Sequence, residues 1–363
     1  MLTVDSWIMN GKAMPFDELA TGSPYRTIVG KAGWRGKENR GFYRSGIVAA
    51  FNQSKPEVLF LMEEPFSVFA LEILTLKALL APRIPVVFFT WNNLSLSEFD
   101  YRPSLFYRNV ARRTLPHMHY GLTANSEGIQ VLRKAGFDRP VKSVGYGVDT
   151  AAYSLERDER VELLRQSLGI EPGELVIGYV GRLIPMKGVD LLIEAFSKLR
   201  QDDPLLKAKL LLLGSGEAES SILQLAESRG VTHLLRHVDT VRHDEVADYM
   251  HAIDFLVLPS RRVGMWAEQF GRVLVEAMAA GKIVIGSSSG AIPEVIGPAG
   301  FVFKENDDAD LARQLRRAID LNSAERAHLA SIARHRASVD YSWQRFAKDA
   351  FEAICYCHHK YNS

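Results

Sequence analysis

The chain has only two cysteines in 363 residues, and they stand together as Cys355 and Cys357. Two sulfurs cannot build a disulfide framework, and they are too few for a structural zinc site without other ligands. No stretch reaches the roughly 18 continuous apolar residues of a membrane-spanning helix. The longer apolar runs, at 58–62 and 210–213, have the length of strands. Charge of one sign is also missing: 44 Lys and Arg face 43 Asp and Glu, for a formal net charge of +1. That excludes the broad basic excess of a nucleic-acid binder. The 27 Gly and 15 Pro follow no period. The opening residues, MLTVDSWIMNGKAM, lack the charged start and apolar core of a secretory signal, so the expected location is cytoplasmic. No P-loop lysine signature is present, which disfavours a P-loop NTPase.

What is present is a rhythm. At roughly 100–200 residues per domain, the length suggests two domains. From about residue 55, short apolar runs alternate with longer amphipathic segments. EVLFLM (57–62), PVVFFT (85–90), GLTAN (121–125) and VKSVG (141–145) read as strands. SVFALEILTLKALL (67–80), the stretch near 103–113 and SEGIQVLRKAG (126–136) read as helices, the last opened by Ser126 and closed by Gly136. The polar segment 147–174 ends in Pro172-Gly173 and reads as a linker. A second series follows, with strands at 175–181, 209–214, 254–260 and 282–288 and helices at 188–200, 217–230, 243–252 and 271–281. Such alternation predicts βαβ units and parallel sheets with both faces covered. The expected fold class is α/β, with two doubly wound domains over residues 1–150 and 151–340.

In open parallel sheets, ligands sit in the loops at the carboxyl ends of the strands. The loop GRLIPMKG (181–188) carries Arg182 and Lys187 and ends at a helix start. Two cations beside a helix N-terminus suit a phosphate, although two solvated charges on a turn are the simpler reading. The loop RRVGMWAEQFG (261–271) holds Glu268 and ends in Phe270-Gly271, and Glu276 lies within the following helix. Amides left open behind Gly271 suit a diphosphate or a sugar hydroxyl. Glu268 and Glu276 are eight residues apart, at most about 12 Å along a helix. They can bracket a sugar at one end and a ribose at the other. Glu276 is flanked by Leu274, Val275, Ala277 and Met278, so its carboxylate needs partners.

Other features weigh less. LGSGE (213–217) lacks the third glycine of a dinucleotide fingerprint, because Glu219 stands there. DDAD (307–310) opens a helix, where acids are expected without a metal. Cys355, Cys357, His358 and His359 have no matching half-site. GSSSG (286–290) fits a nucleophile-elbow pattern, but Pro293 follows closely and no His lies between it and His328 to serve it. His117 and His119 read as structural or solvated. Glu63 and Glu64, after the strand 57–62, are further candidates to line a cleft, with a solvated loop as the equal alternative.

VGRLIPMKGVDLLIEAF, LGSGE and AEQFGRVLVEAMAAGKIVIGSSSGAIPEVI resemble the donor half of the family-four retaining glycosyltransferases. That family has the GT-B fold, two Rossmann-like domains facing a cleft, and its E-x7-E signature falls on Glu268 and Glu276. The resemblance is dense over 174–305 and looser at ANSEG (124–128) and GYGVD (145–149). It implies that Arg182 and Lys187 hold the donor diphosphate. It puts Glu268 and the amides of Phe270 and Gly271 on the sugar, the amides of Val273 and Leu274 on the phosphates, Glu276 on the ribose and Val241 at the base. It implies no metal cofactor, a nucleotide-sugar donor with a UDP-sugar in first place, and transfer with retention to a glycan or lipid-linked acceptor. It also implies a C-terminal helix, about 341–363, that crosses back to the first domain.

Two departures from the family's pattern stand out. Many members have a His after a strand of the P-V-V type, whereas this chain has Trp91, Asn92 and Asn93, with Asn92 a candidate donor to the sugar. LTVDSW resembles the family's second strand, so about the first βα unit is expected to be absent, through a late start or a true lack. That makes a partner subunit an expectation, and a nucleotide-sugar-binding or scaffold subunit the alternative to an enzyme. The loop GKAGWRGKENRG (30–41), with Arg35, Lys37 and Arg40, is a further acceptor-side candidate. Arg108, Arg112 and Arg113 read as a solvated helix face in preference to a weak peripheral contact with the inner face of a membrane.

Overall fold

The computed structural model describes the chain apart from residues 5, 10–11, 16–25, 36–38, 95–101, 155–158, 265 and 363, so Lys37 lies outside the described residues. The chain forms two compact units, Met1–Ser143 with Lys348–Ser363, and Val144–Ala347.

The first unit holds a four-stranded parallel sheet in the order Val141–Ser143, Tyr120–Thr123, Val86–Thr90, Leu59–Leu61. Val86, Val87, Phe88 and Phe89 are wholly buried, which is why this strand is an unbroken apolar run. Ser67 caps the helix Val68–Leu80 by accepting the Ala70 N–H at 3.0 Å. The helix Ser126–Lys134 is capped one residue earlier than the sequence suggests. Asn125, not Ser126, takes extended backbone and accepts the Gly128 N–H at 2.8 Å. Leu2–Val4 and Ile28–Gly30 form a separate parallel pair.

The second unit is a six-stranded parallel sheet. Numbered along this unit, its strands are Leu175–Val180, Ala208–Leu213, Leu235–Val238, Phe255–Leu258, Ile283–Ser287 and Gly300–Phe303, and their spatial order is 3-2-1-4-5-6. That is the Rossmann order, in which the strand sequence reverses between the first and fourth strands. The strands Leu235–Val238 and Gly300–Phe303 escape the sequence reading. Arg236 and His237 interrupt the first apolar run, and both strands are half-buried edges. Tyr179, Phe196, Phe255 and Phe303 anchor the core, and each such burial contributes roughly 1.5–3 kcal/mol. The polar stretch read as a linker is part of this unit. It contains the helix Glu159–Ser167, whose buried Arg165 donates to the carbonyls of Ala252 at 2.6 Å and Glu174 at 2.5 Å. The last helix is Trp343–Asn362, close to the expected 341–363, and Lys348–Ser363 falls in the first unit.

Candidate active site

A doubly wound sheet opens its crevice where the strand order reverses. Here that point lies between Leu175–Val180 and Phe255–Leu258, and the loops leaving these strands are 181–188 and 259–271. Topology therefore brings together the two loops that the sequence singles out. Their approach is close. A side chain on Gly188 (φ +65°) would meet the Pro259 carbonyl at 2.1 Å. Arg261 fastens the loops further, its backbone N–H donating to Met186 O at 2.9 Å and its side chain to Pro185 O at 3.0 Å and to Asp190.

Lys187 ends a short 3-10 turn, Pro185–Lys187, and its ammonium lies 2.6 Å from Glu268 Oε2. The Ser260 hydroxyl donates to the same oxygen at 2.8 Å. Trp266 covers the ammonium, with Nζ 5.0 Å from the ring centroid. Only 16% of the Lys187 side chain and 10% of that of Glu268 reach solvent, so the pair is held away from bulk water. Arg182 is exposed, its backbone carbonyl accepting the buried Tyr179 hydroxyl at 2.7 Å.

Gly271 has φ +78° and starts the helix Arg272–Ala279 with no side-chain cap, so the amides at this helix start face their surroundings uncapped. The Leu274 N–H already donates to Gly271 O at 2.8 Å, which leaves Phe270, Gly271 and Val273 as the backbone donors from the sequence reading. Glu276 is buried to 6% exposure and accepts from Arg272 Nε at 2.9 Å. Burial, and then the Glu276 charge, push the Tyr153 hydroxyl far above its ordinary range, so it stays a donor. Glu276 also lines a cavity of about 330 Å³ with Asp149, Tyr153, His243, Arg272 and Trp343. Val241 lies in the loop after Leu235–Val238, half-buried. Ser260, Trp266, Tyr153 and Arg272 were not foreseen as parts of this site.

In the first unit the structure changes the reading of Glu64. The residue is buried, and its carboxylate accepts the Thr90 hydroxyl and, at 3.1 Å, the Trp91 N–H. It therefore holds the turn after Val86–Thr90 in place, with each of its oxygens engaged within the unit. Asn92 is occupied too, its amide nitrogen donating to Leu94 O at 2.8 Å. Burial pushes the carboxyls of Glu63 and Glu64 up to about 7. Between the ordinary 4.5 and about 7, the native state then holds protons that the unfolded chain has released. Stability is expected to fall as the pH rises through this window and to level off above it. Thermal melts at several pH values should show this slope, and Glu64→Gln should make it shallower, leaving the share of Glu63.

The features given little weight have structural uses. Side chains on Gly214 and Gly216 would meet Gly181 O at 2.1 Å and Leu183 O at 2.3 Å, so the G-x-G turn packs directly on the 181–188 loop. Gly290 does the same against Glu268 O at 2.2 Å, and the Ala291 N–H donates to that carbonyl, so GSSSG buttresses the Glu268 loop. Asp307 caps the helix Asp308–Ile319 by accepting the Asp310 N–H, Asp310 accepts the Lys304 N–H, and Asp308 pairs with Lys198. His119 Nδ1 accepts the Val86 N–H at 3.1 Å. Cys357 is buried, which pushes its thiol up to about 11. No described helix is long and apolar enough to cross a membrane.

Two Rossmann-like units make up the GT-B fold, which this chain shares with similar solved structures. Residues 160–336 match the family model described as glycosyl transferases group 1. The chain is similar to the D-inositol 3-phosphate glycosyltransferase of Rhodococcus opacus, with 29% identity over 273 residues, 72% of this chain and 58% of that protein. It is similar to the GDP-mannose-dependent monoacylated alpha-(1-6)-phosphatidylinositol monomannoside mannosyltransferase of Corynebacterium glutamicum, at 30% identity over 54% of this chain and 51% of that protein. The chain thus spans little more than half the length of these curated relatives. Anabaena HepE, solved in complex with UDP, superposes with a TM-score of 0.70 at 22% identity, over 85% of this chain and 82% of its own.

Proposed function

We propose that the chain transfers a sugar, with retention and without a metal, from a nucleotide-diphosphate sugar to a glycan or lipid-linked acceptor. The observation that carries this reading is the gathering, at one switch point, of Lys187 paired to Glu268, the uncapped helix start behind Gly271, and Glu276 on its cavity. In this reading Glu276 takes the ribose hydroxyls and Glu268 the sugar hydroxyls. Cleavage of the anomeric C–O bond leaves its electron pair on the diphosphate. Lys187, Arg182 and the amide of Val273 stabilise that charge, and the amides of Phe270 and Gly271 hold the sugar. The acceptor oxygen bonds to the anomeric carbon on the same face, and its proton passes to the leaving phosphate. A UDP-sugar is the first donor to test, in keeping with the UDP named for HepE. The GDP-mannose named for the Corynebacterium relative makes a GDP-sugar the second.

The test is to incubate the chain in EDTA with UDP-, GDP-, ADP- and dTDP-sugars and candidate acceptors. Nucleotide release and the anomeric configuration of the product are then followed by NMR. One donor should be consumed in EDTA, with its configuration kept. Consumption only after a divalent cation is added, or an inverted product, contradicts the reading. Nucleotide binding without turnover favours the second reading, a nucleotide-sugar-binding or scaffold subunit. That reading has one observation behind it: the Asn92 amide, where many family members have a His, is spent on Leu94.

A further inference from the structure

Two wholly buried serines stand at the carboxyl ends of neighbouring strands in the second unit. Leu258 faces Gly286 across Phe255–Leu258 and Ile283–Ser287, so Ser260 and Ser287 meet just past this pair. A hydroxyl has a single proton to give. Ser260 gives its own to Glu268 Oε2 at 2.8 Å, and Ser287 gives its own to the Ser260 carbonyl. The Ser289 N–H in turn donates to the Ser287 hydroxyl at 3.3 Å. The segment 286–291 thus reaches Glu268 twice, once along this chain of hydroxyls and once through the Ala291 N–H on the Glu268 carbonyl at 2.9 Å.

Apolar side chains would fill such buried places without the cost of a hydroxyl that must find a partner. Here both hydroxyl bonds lead to the same carboxylate. Lys187 and Ser260 meet on Oε2 but contribute differently. An ammonium on a flexible four-carbon stem supplies charge with little direction of its own. Ser260 has one side-chain torsion and a backbone held by Ser287, so its O–H fixes the direction from which the carboxylate is gripped. Direction matters for a group that meets the hydroxyls of a bound sugar, because a misplacement of about 1 Å can cost about 10²-fold in rate.

We propose that Ser260, braced by Ser287, is a positioning residue that aims Glu268 at the donor sugar. The proposal rests on the transferase reading and gives the GSSSG segment a part in it.

Kinetics and calorimetry on the full chain test it, with UDP-glucose and UDP as the probes, or GDP-mannose and GDP if those are the pair that the wild type binds. Ser260→Ala should lower kcat by about tenfold or more, the usual cost of one hydrogen bond to a charged group. The affinity for the free nucleotide should hold, because it carries no transferred sugar for Glu268 to meet. Ser287→Ala should lower kcat by a smaller factor. In the Ser260→Ala background it should lower kcat no further, because its effect passes through the Ser260 hydroxyl. An unchanged kcat in Ser260→Ala, or a loss of nucleotide affinity in step with kcat, overturns the proposal and leaves the transferase reading standing. If Ser260→Ala does not fold, Ser287→Ala decides by the same split between kcat and nucleotide affinity. A wild-type chain that binds nucleotide but turns over no nucleotide sugar removes the transferase reading and this proposal with it.

Discussion

Lys187→Ala is expected to lower sugar transfer by about 10²–10³-fold, the usual cost of removing one donor aimed at developing charge. It should also destabilise the fold, because Glu268 is left with Ser260 as a partner and no cation at 2.6 Å. Breaking a buried pair on one side costs about 3–5 kcal/mol, and the slight exposure of this one places the cost toward the lower end. Activity and stability can be separated. Lys187→Met with Glu268→Gln removes both charges, keeps the side-chain volumes and leaves an acceptor for the Ser260 hydroxyl. Denaturant melts should show most of the stability restored, while the transfer rate stays at the level of Lys187→Ala or below. A double variant that regains transfer would mean that the pair serves the fold and not the reaction.

Glu276→Ala should have the second large effect, on nucleotide affinity. A ligand at about 100 times its dissociation constant stabilises its protein by about 2.7 kcal/mol. Hydrogen bonds to a charged group contribute about 1.5–3 kcal/mol each, so losing two from ribose hydroxyls should weaken binding by about 10²-fold or more and erase the thermal shift. The variant itself should be modestly less stable, because a buried side chain is cut back and its bond to Arg272 is lost. Arg272 remains half in solvent and adds little to that cost. Glu276→Gln keeps the side-chain volume and an acceptor for Arg272 and should show the affinity loss with little loss of stability. Thermal shifts with and without UDP on both variants check this.

The sequence makes the second sheet legible where its strands are buried on both faces, because Leu175–Val180 and Phe255–Leu258 are continuous apolar runs, and Ala208–Leu213 and Ile283–Ser287 are apolar apart from Lys209 and Ser287. The half-buried edges at 235–238 and 300–303 tolerate polar residues or glycine and leave no such run. The same division holds at the site. Glu268, Gly271 and Glu276 lie in one short segment, so their chemistry shows in the sequence. The Lys187–Glu268 pair spans 81 positions. The approach of Tyr153 to Glu276, and of Trp266 to Lys187, likewise exists only after folding. Glu64 shows the opposite case. A carboxylate after a strand looks available in sequence, but folding turns it onto Thr90 and Trp91.

The most direct test of the account is a crystal structure of the chain soaked with UDP. The diphosphate should lie against the helix start behind Gly271 and beside Lys187, with the ribose on Glu276 inside the cavity that Tyr153 and Arg272 line. Nucleotide density elsewhere, for instance on the Gly214–Gly216 turn with Glu276 untouched, would contradict it.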